Sequence, residues 1–325
     1  MDMDTNVVCF ENNIVKLLDQ TRLPHEERYI LCKTVGEVSA AIRNMVVRGA
    51  PAIGVAAAYG MALGNNPASD AEVLKRARPT AVDLFNAVEY MLGEIKNGAP
   101  STEAAKKWHD GIIEKTRKIS EFGASLIKDG ANVLLHCNAG PLATAGYGTS
   151  LGAVLEAAKT KKIFVYVDET RPRFQGALTS WELSRAGIEH KVIVDSSAGF
   201  LMQKKMVDLV MVGADRIVSN GDFANKIGTY SLAVLAKENN VPFYVLAPSS
   251  TFDFSTKGGE EIKIEERGEE EVLDVLGKRV YGKGASALNL AFDVTPFRYV
   301  TSYVTEYGVH KKAEEILRLW KNTKE

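Results

Sequence analysis

A change of rhythm near residue 130 constrains this chain more than any other feature. Beyond it, short β-rich runs alternate with helical stretches, at Val133–His136, Ile163–Asp168, Val192–Asp195, Leu209–Gly213 and Pro242–Ala247. Each run is largely apolar on both faces, as a parallel strand is when helices cover the sheet on both sides. The stretches between them, among them Ser180–Ala186 and Asn225–Glu238, carry helical periodicity and supply the crossovers. This alternation predicts a doubly wound parallel α/β sheet, with its ligand crevice outside the carboxyl ends of the strands.

Upstream of that point the pattern is mostly helical. Thr34-Val35-Gly36-Glu37 has the spacing of a capping box, and Val38, Ala41, Ile42, Met45 and Val46 then share one helical face. Arg48-Gly49-Ala50-Pro51 interrupts the pattern, and a helix of small residues is predicted from Ala52 to Leu63. Pro51 suits its first turn, and Gly64 its end. Further helical patterns cover 80–96 and 102–128, and Asn13–Leu18 reads as a strand. At 325 residues the chain suits two domains, with the boundary near 122–130: a mostly helical domain over 1–125 and the α/β domain over 126–325. The polar segment 255–272 reads as a surface excursion.

Several function classes are excluded by what the chain lacks. The formal net charge is −1 with no charged block at either end, so neither nucleic acid nor an acidic membrane surface is an expected partner. The three cysteines, Cys9, Cys32 and Cys137, are odd in number and have no metal or redox spacing. A reducing, cytoplasmic setting fits them. The N-terminus is acidic and has no apolar signal core, and the weakly polar stretch Ala50–Leu63 is too short to span a bilayer. No GxGxxG follows the first strand of the sheet and no His/Cys/Asp group has zinc spacing, so neither a dinucleotide cofactor nor a metal is expected.

The predicted strand ends collect polar and reactive residues: His136-Cys137-Asn138, Asp168-Glu169-Thr170, Asp195-Ser196, Ala214-Asp215-Arg216 and Pro248-Ser249-Ser250. Cys137 opens a Gly-, Ala- and Thr-rich stretch. A helix beginning there would lower the thiol pKa, whereas a structural Cys would simply be small and buried. The buried reading is preferred for Cys9 and Cys32. His136 is either a base or a core residue. Asp215 either acts chemically or caps a turn, and Asp195 reads as a cap. Asn225-Lys226 at the start of a helix would make a phosphate clamp. Arg48-Gly49-Ala50 and Arg78-Pro79-Thr80 repeat the arrangement of a cation before a helix, although any one of these cations alone could be a solvated surface residue.

Taken together these segments resemble the methylthioribose-1-phosphate isomerase family of methionine salvage, a branch of amino-acid biosynthesis. The resemblance is carried by LLDQTRLP at 17–24, RGAPAIG at 48–54, RPTAV at 78–82, HCNAG at 136–140, DETRPRFQG at 168–176, GADRI at 213–217, NKIGTY at 225–230 and APSSTFD at 247–253. It implies a small helical N-terminal domain and a Rossmann-like C-terminal domain, assembled as a homodimer. It implies Cys137 and Asp215 as the catalytic pair, with substrate held by Arg48, Gly49, Ala50, Arg78, Gln175, Asn225 and Lys226. The implied reaction turns 5-methylthioribose 1-phosphate into 5-methylthioribulose 1-phosphate without a cofactor. In it, Asp215 protonates the ring oxygen, and the C2 hydrogen reaches C1 either as a proton through Cys137 or as a hydride. Asp83 and Asn86 depart from the family's usual Asn and Trp, which leaves the C5 substituent open. Related enzymes act on 5-deoxyribose 1-phosphate or ribose 1,5-bisphosphate. The wider family also contains non-catalytic regulatory subunits of a translation-initiation guanine-nucleotide exchange factor, and the presence of both Cys137 and Asp215 points away from that role.

Overall fold

The computed structural model describes residues 6–78 and 81–322. At the N-terminus, β1 (Val8–Glu11), β2 (Ile14–Leu18) and β3 (Tyr29–Cys32) form an antiparallel sheet. Five helices follow: α1 (Val35–Arg43), α2 (Ala50–Leu63), α3 (Pro67–Lys75), α4 (Val82–Lys96) and α5 (Ser101–Ser125). The start of α1 follows from its sequence. The Glu37 N–H donates to Thr34 Oγ1 at 3.2 Å, and the Thr34 N–H donates to the Glu37 carboxylate at 3.0 Å.

Helix α2 is buried from Ala52 through Ala62, which explains its composition. Where other helices press against it there is no room for side chains. A Cβ on Gly54 would lie 3.0 Å from the Asp83 carbonyl of α4, and one on Gly60 would lie 3.1 Å from Val38 of α1. The small residues let neighbouring helices close around α2 at native packing density, and its N-terminus packs against Ala143.

That sheet contains β4 (Asn132–Leu135), β5 (Phe164–Asp168), β6 (His190–Ile193), β7 (Leu209–Val212) and three more strands entering later in the chain. Between β7 and the rest of it, β8 (Arg216–Val218) and β9 (Phe223–Lys226) branch into a separate sheet. The large sheet then takes β10 (Phe243–Leu246). The branch is completed by β11 (Phe252–Asp253) and, after the small β12 (Asp274–Val275) and β13 (Lys278–Arg279) hairpin, by β14 (Phe292–Thr295). The last strands, β15 (Ser302–Thr305) and β16 (Gly308–His310), close the large sheet as a seven-stranded array. Its order is β16-β15-β10-β7-β4-β5-β6, parallel throughout except at β16.

Helices cover both faces. Val133, Leu135, Val165, Val167, Leu209 and Met211 pack with Ile119 of α5, Val154 of α7 (Ser150–Ala157) and Leu183 of α8 (Gln175–Arg185). The alternating residues Leu134, Tyr166, Val210 and Val212 face the opposite way. They meet Met202 of α9 (Ala198–Gln203), Ala233 of α10 (Thr229–Glu238) and Ile316 of α12 (Ala313–Asn322). This is the two-sided burial expected from the apolar runs. The edge strand β6 departs from it: Val192 is 50% exposed, because β6 ends the sheet on that side. The chain runs outward from β4 through β5 to β6, then returns to lay β7 on the other side of β4. The switch point between β4 and β7 is where such a sheet opens a crevice.

The polar segment expected as a surface excursion is anchored. Arg173 binds Glu271 of the short helix α11 (Glu270–Leu273) at 2.6 Å, and Arg171 donates to the Val272 carbonyl at 2.9 Å. Among the described residues, no helix is long and apolar enough to cross a membrane.

Candidate active site

Cys137 lies two residues beyond the end of β4, with a φ of +66°. Its N–H donates to Thr170 Oγ1 at 2.9 Å, and its carbonyl accepts from Thr179 Oγ1 at 2.8 Å. The helix start expected at this point is absent. The next helical element, α6 (Pro141–Thr144), begins four residues later and spans one turn. No helix dipole therefore lowers the thiol. Burial pushes it above its ordinary pKa; Lys226 and Arg48 pull the other way, and Asp215 adds to the rise.

Asp215 leaves β7, the neighbour of β4 across the switch point. Its N–H donates to the Ala224 carbonyl at 2.9 Å, but among the described residues nothing hydrogen-bonds its carboxylate. The side chain reaches the molecular surface. Even so, the protein around it excludes enough water to raise its pKa, against the opposing pull of Lys226 and Arg78. A group both accessible and desolvated belongs to the floor of a cleft. Asp195, read as a cap, accepts the N–H groups of Thr170 and Arg171 at 2.8 and 2.9 Å.

Cations surround the pair. Arg48 precedes α2, and Gly49 at φ +92° brings that helix start against the Cys137 loop. A Cβ at Gly49 would fall 2.2 Å from the Ala143 carbonyl oxygen, so only glycine fits there. Ala50 is the first residue of the helix. Arg48 Nε is buried with no hydrogen-bond acceptor, and burial pulls the guanidinium down to a pKa of about 10. Arg78 is likewise lowered by burial; Glu265 and Asp215 pull it back up. Pro79 and Thr80, expected to start a helix after it, lie outside the described residues, and α4 begins at Val82.

Asn225 and Lys226 require a correction. They end strand β9, and helix α10 starts only at Thr229. Antiparallel pairing with β14 holds them there, through Asn225 with Asp293 and Lys226 with Phe292. Lys226 Nζ donates to the Ala291 carbonyl at 2.9 Å and lies 4.6 Å from the centre of the Phe292 ring. Asn225 is buried and donates to Thr229 Oγ1 at 3.0 Å. Gln175 begins α8, buried, with its Oε1 unpartnered.

His136 is a core residue. One ring nitrogen, Nε2, lies 2.9 Å from the Ile227 carbonyl and so carries the hydrogen that donates to it. The other, Nδ1, lies 2.9 Å from the Asp168 carboxylate. Burial opposes a charge on the ring, but the Asp168 carboxyl outweighs it and holds the ring above its ordinary pKa. No lone pair is left to act as a base. His136, Asp168 and Asp195 lie close enough to share an ion. Both His136 nitrogens and both Asp195 oxygens are already taken by protein partners, so only one Asp168 oxygen is free to coordinate. Thr170, expected at a strand end, holds the Cys137 loop in place together with Thr179 and Glu182, which the sequence reading passed over. Their one local signal is that Thr179 and Glu182 are three residues apart on one helix.

From residue 46 to 312 the chain matches the Initiation factor 2 subunit family. A methylthioribose-1-phosphate isomerase of Thermotoga neapolitana is 51% identical over 330 residues, covering 96% of each chain. Among solved structures, the 5-methylthioribose 1-phosphate isomerase of Pyrococcus horikoshii OT3 superposes with a TM-score of 0.89 at 40% identity, covering 97% of this chain and 96% of that one. The subunit delta of translation initiation factor eIF-2B from A. fulgidus gives 0.88 at 40% identity, over 96% and 99%. At these values backbone similarity alone does not separate an enzyme from a regulatory subunit, and the side chains of the crevice must do so.

Proposed function

The chain belongs to the Initiation factor 2 subunit family, and from that premise we propose that it is an aldose-ketose isomerase converting 5-methylthioribose 1-phosphate into 5-methylthioribulose 1-phosphate. The observation that carries the reading is the placement of Cys137 and Asp215 just beyond the carboxyl ends of the two strands flanking the switch point, in a cleft surrounded by cations. The reaction belongs to methionine salvage, and the enzyme works as a cytoplasmic homodimer. A regulatory subunit would need none of this reactive pair.

Phosphate on the anomeric oxygen prevents the ring from opening as a free hemiacetal. Arg48, Lys226 and the N-terminus of α2 offer charge and N–H groups to that phosphate. Asp215, with its carboxyl held neutral more readily than in water, gives a proton to the ring oxygen as the C1–O bond breaks. The C2 hydrogen then moves to C1, and the O2 proton returns to Asp215. A thiolate at Cys137 gains from Arg48 and Lys226, but a bound phosphate would offset both cations. That balance favours a hydride shift beside an uncharged thiol over proton abstraction by Cys137.

Asp215→Asn should lower kcat by at least ~10²-fold as a lost acid, and Cys137→Ser by a similar factor through misplacing the C2 hydrogen that the thiol packs against, while KM moves much less. Near-normal turnover in either variant removes that residue from the mechanism.

A further inference from the structure

Cys137 holds a left-handed backbone conformation, which a residue with a Cβ keeps only when its surroundings enforce it. Helix α8 does the enforcing. Thr179 and Glu182 lie on one face of it, each 1% exposed. Thr179 Oγ1 donates to the Cys137 carbonyl at 2.8 Å and accepts from Asn138 Nδ2 at 3.1 Å. Asn138 Nδ2 also donates to Glu182 Oε2 at 2.6 Å, and the other Glu182 oxygen accepts the Leu142 N–H at 2.8 Å. The carboxylate thus bridges the two ends of segment 138–142. Gly140, between them, has no space for a side chain, since its Cβ would lie 2.6 Å from Glu182 Oε2.

Among the described residues, no cation pairs with Glu182. A buried carboxylate without a cation costs stability, and an uncharged residue of the same shape would serve the fold better. Its two acceptor oxygens nevertheless suit this place, because both partners are N–H donors. A glutamine would accept from one and set its own amide against the other.

We propose that Glu182 is the positioning residue for Cys137: through Asn138 and Thr179 it fixes the Cys137 backbone and hence the direction of the thiol in the cleft. This rests on the catalytic reading of Cys137. The experiment compares Glu182→Gln, Asn138→Ala, their double variant and Cys137→Ala. It measures kcat, KM and the rate at which iodoacetamide alkylates Cys137, resolved from Cys9 and Cys32 by peptide mass spectrometry.

A misplacement on the ångström scale costs up to ~10²-fold, so Glu182→Gln should lower kcat by at least ~10-fold with KM within about twofold. Its Cys137 alkylation rate should shift several-fold. Asn138→Ala should match it, and the double variant should be no worse than either single one, since both cut the same chain of hydrogen bonds. If Glu182→Gln fails to fold, Asn138→Ala, whose side chain is only half-buried, carries the test alone. Unchanged kcat and alkylation in a folded variant overturn the proposal, as does a double variant whose loss is the product of the singles. Turnover retained by Cys137→Ala would instead overturn the catalytic reading. The alkylation rate in Glu182→Gln would still report on positioning.

Discussion

Replacing Arg48 with Met should make the protein more stable and a poorer binder of phosphate. The Arg48 Nε is buried without an acceptor, and burial lowers the guanidinium from its ordinary value to a pKa of about 10. At ~1.4 kcal/mol per unit, keeping the charge inside costs on the order of 3 kcal/mol. Because the folded-state pKa is the lower one, this penalty is complete at neutral pH and fades only as pH rises above about 10 towards the ordinary guanidinium value. Met is similarly long and unbranched and carries no charge. Part of the figure is lost to the side chain's partial exposure and to Arg's own packing, which leaves a net gain of roughly 1–2 kcal/mol. For a chain of this size that amounts to about 2–5 °C in Tm. The assay is thermal unfolding in phosphate-free buffer, followed by titration with inorganic phosphate. The wild type should gain ~2.7 kcal/mol at a phosphate concentration a hundred times Kd, and the variant should lose most of that response. A less stable Arg48→Met that keeps the full phosphate response would refute the reasoning. The guanidinium would then be structural, and the anion would bind elsewhere.

Lys226 is the group that most strongly pulls the Cys137 thiol down, so Lys226→Met should move the pH profile of Cys137 alkylation to higher pH; a profile that stays put or shifts lower would separate the two residues. For substrate deuterated at C2, a hydride shift in a dry cleft predicts label retained in the product at every pH. Washout that grows as thiolate forms would return Cys137 to the role of base.

The parallel sheet was legible because its strands carry Val, Leu and Ile on both faces, and α2 because only small residues fit an axis packed on every side. Strands β1 and β3 were not legible. Each has four residues with mixed burial and no sustained alternation. Helix α3 was missed because its buried face is only Ala71 and Leu74. The candidate site shows the same division. Cys137 and Asp215 stand out as reactive residues at the ends of apolar runs. Asn225-Lys226 reads locally as a helix start, and its place on a strand depends on β14, some 70 residues later in the chain. Glu182 reads as the solvent face of an amphipathic helix, and only Asn138 and Leu142, 44 and 40 residues away, reveal it as buried. The expected helix dipole at Cys137 fails for a similar reason: α6 ends after one turn, which Gly-, Ala- and Thr-rich composition cannot disclose.

Isomerase activity is read by incubating the purified protein alone with 5-methylthioribose 1-phosphate, 5-deoxyribose 1-phosphate and ribose 1,5-bisphosphate and measuring the ketose 1-phosphate formed. Turnover is expected of all that fit the cleft, with greatest kcat/KM for the methylthio sugar, and that turnover should be lost in both Cys137→Ser and Asp215→Asn. No ketose from any of the three would contradict the isomerase reading and leave a binding subunit on an isomerase fold. Preference for the bisphosphate would keep the chemistry and overturn the substrate.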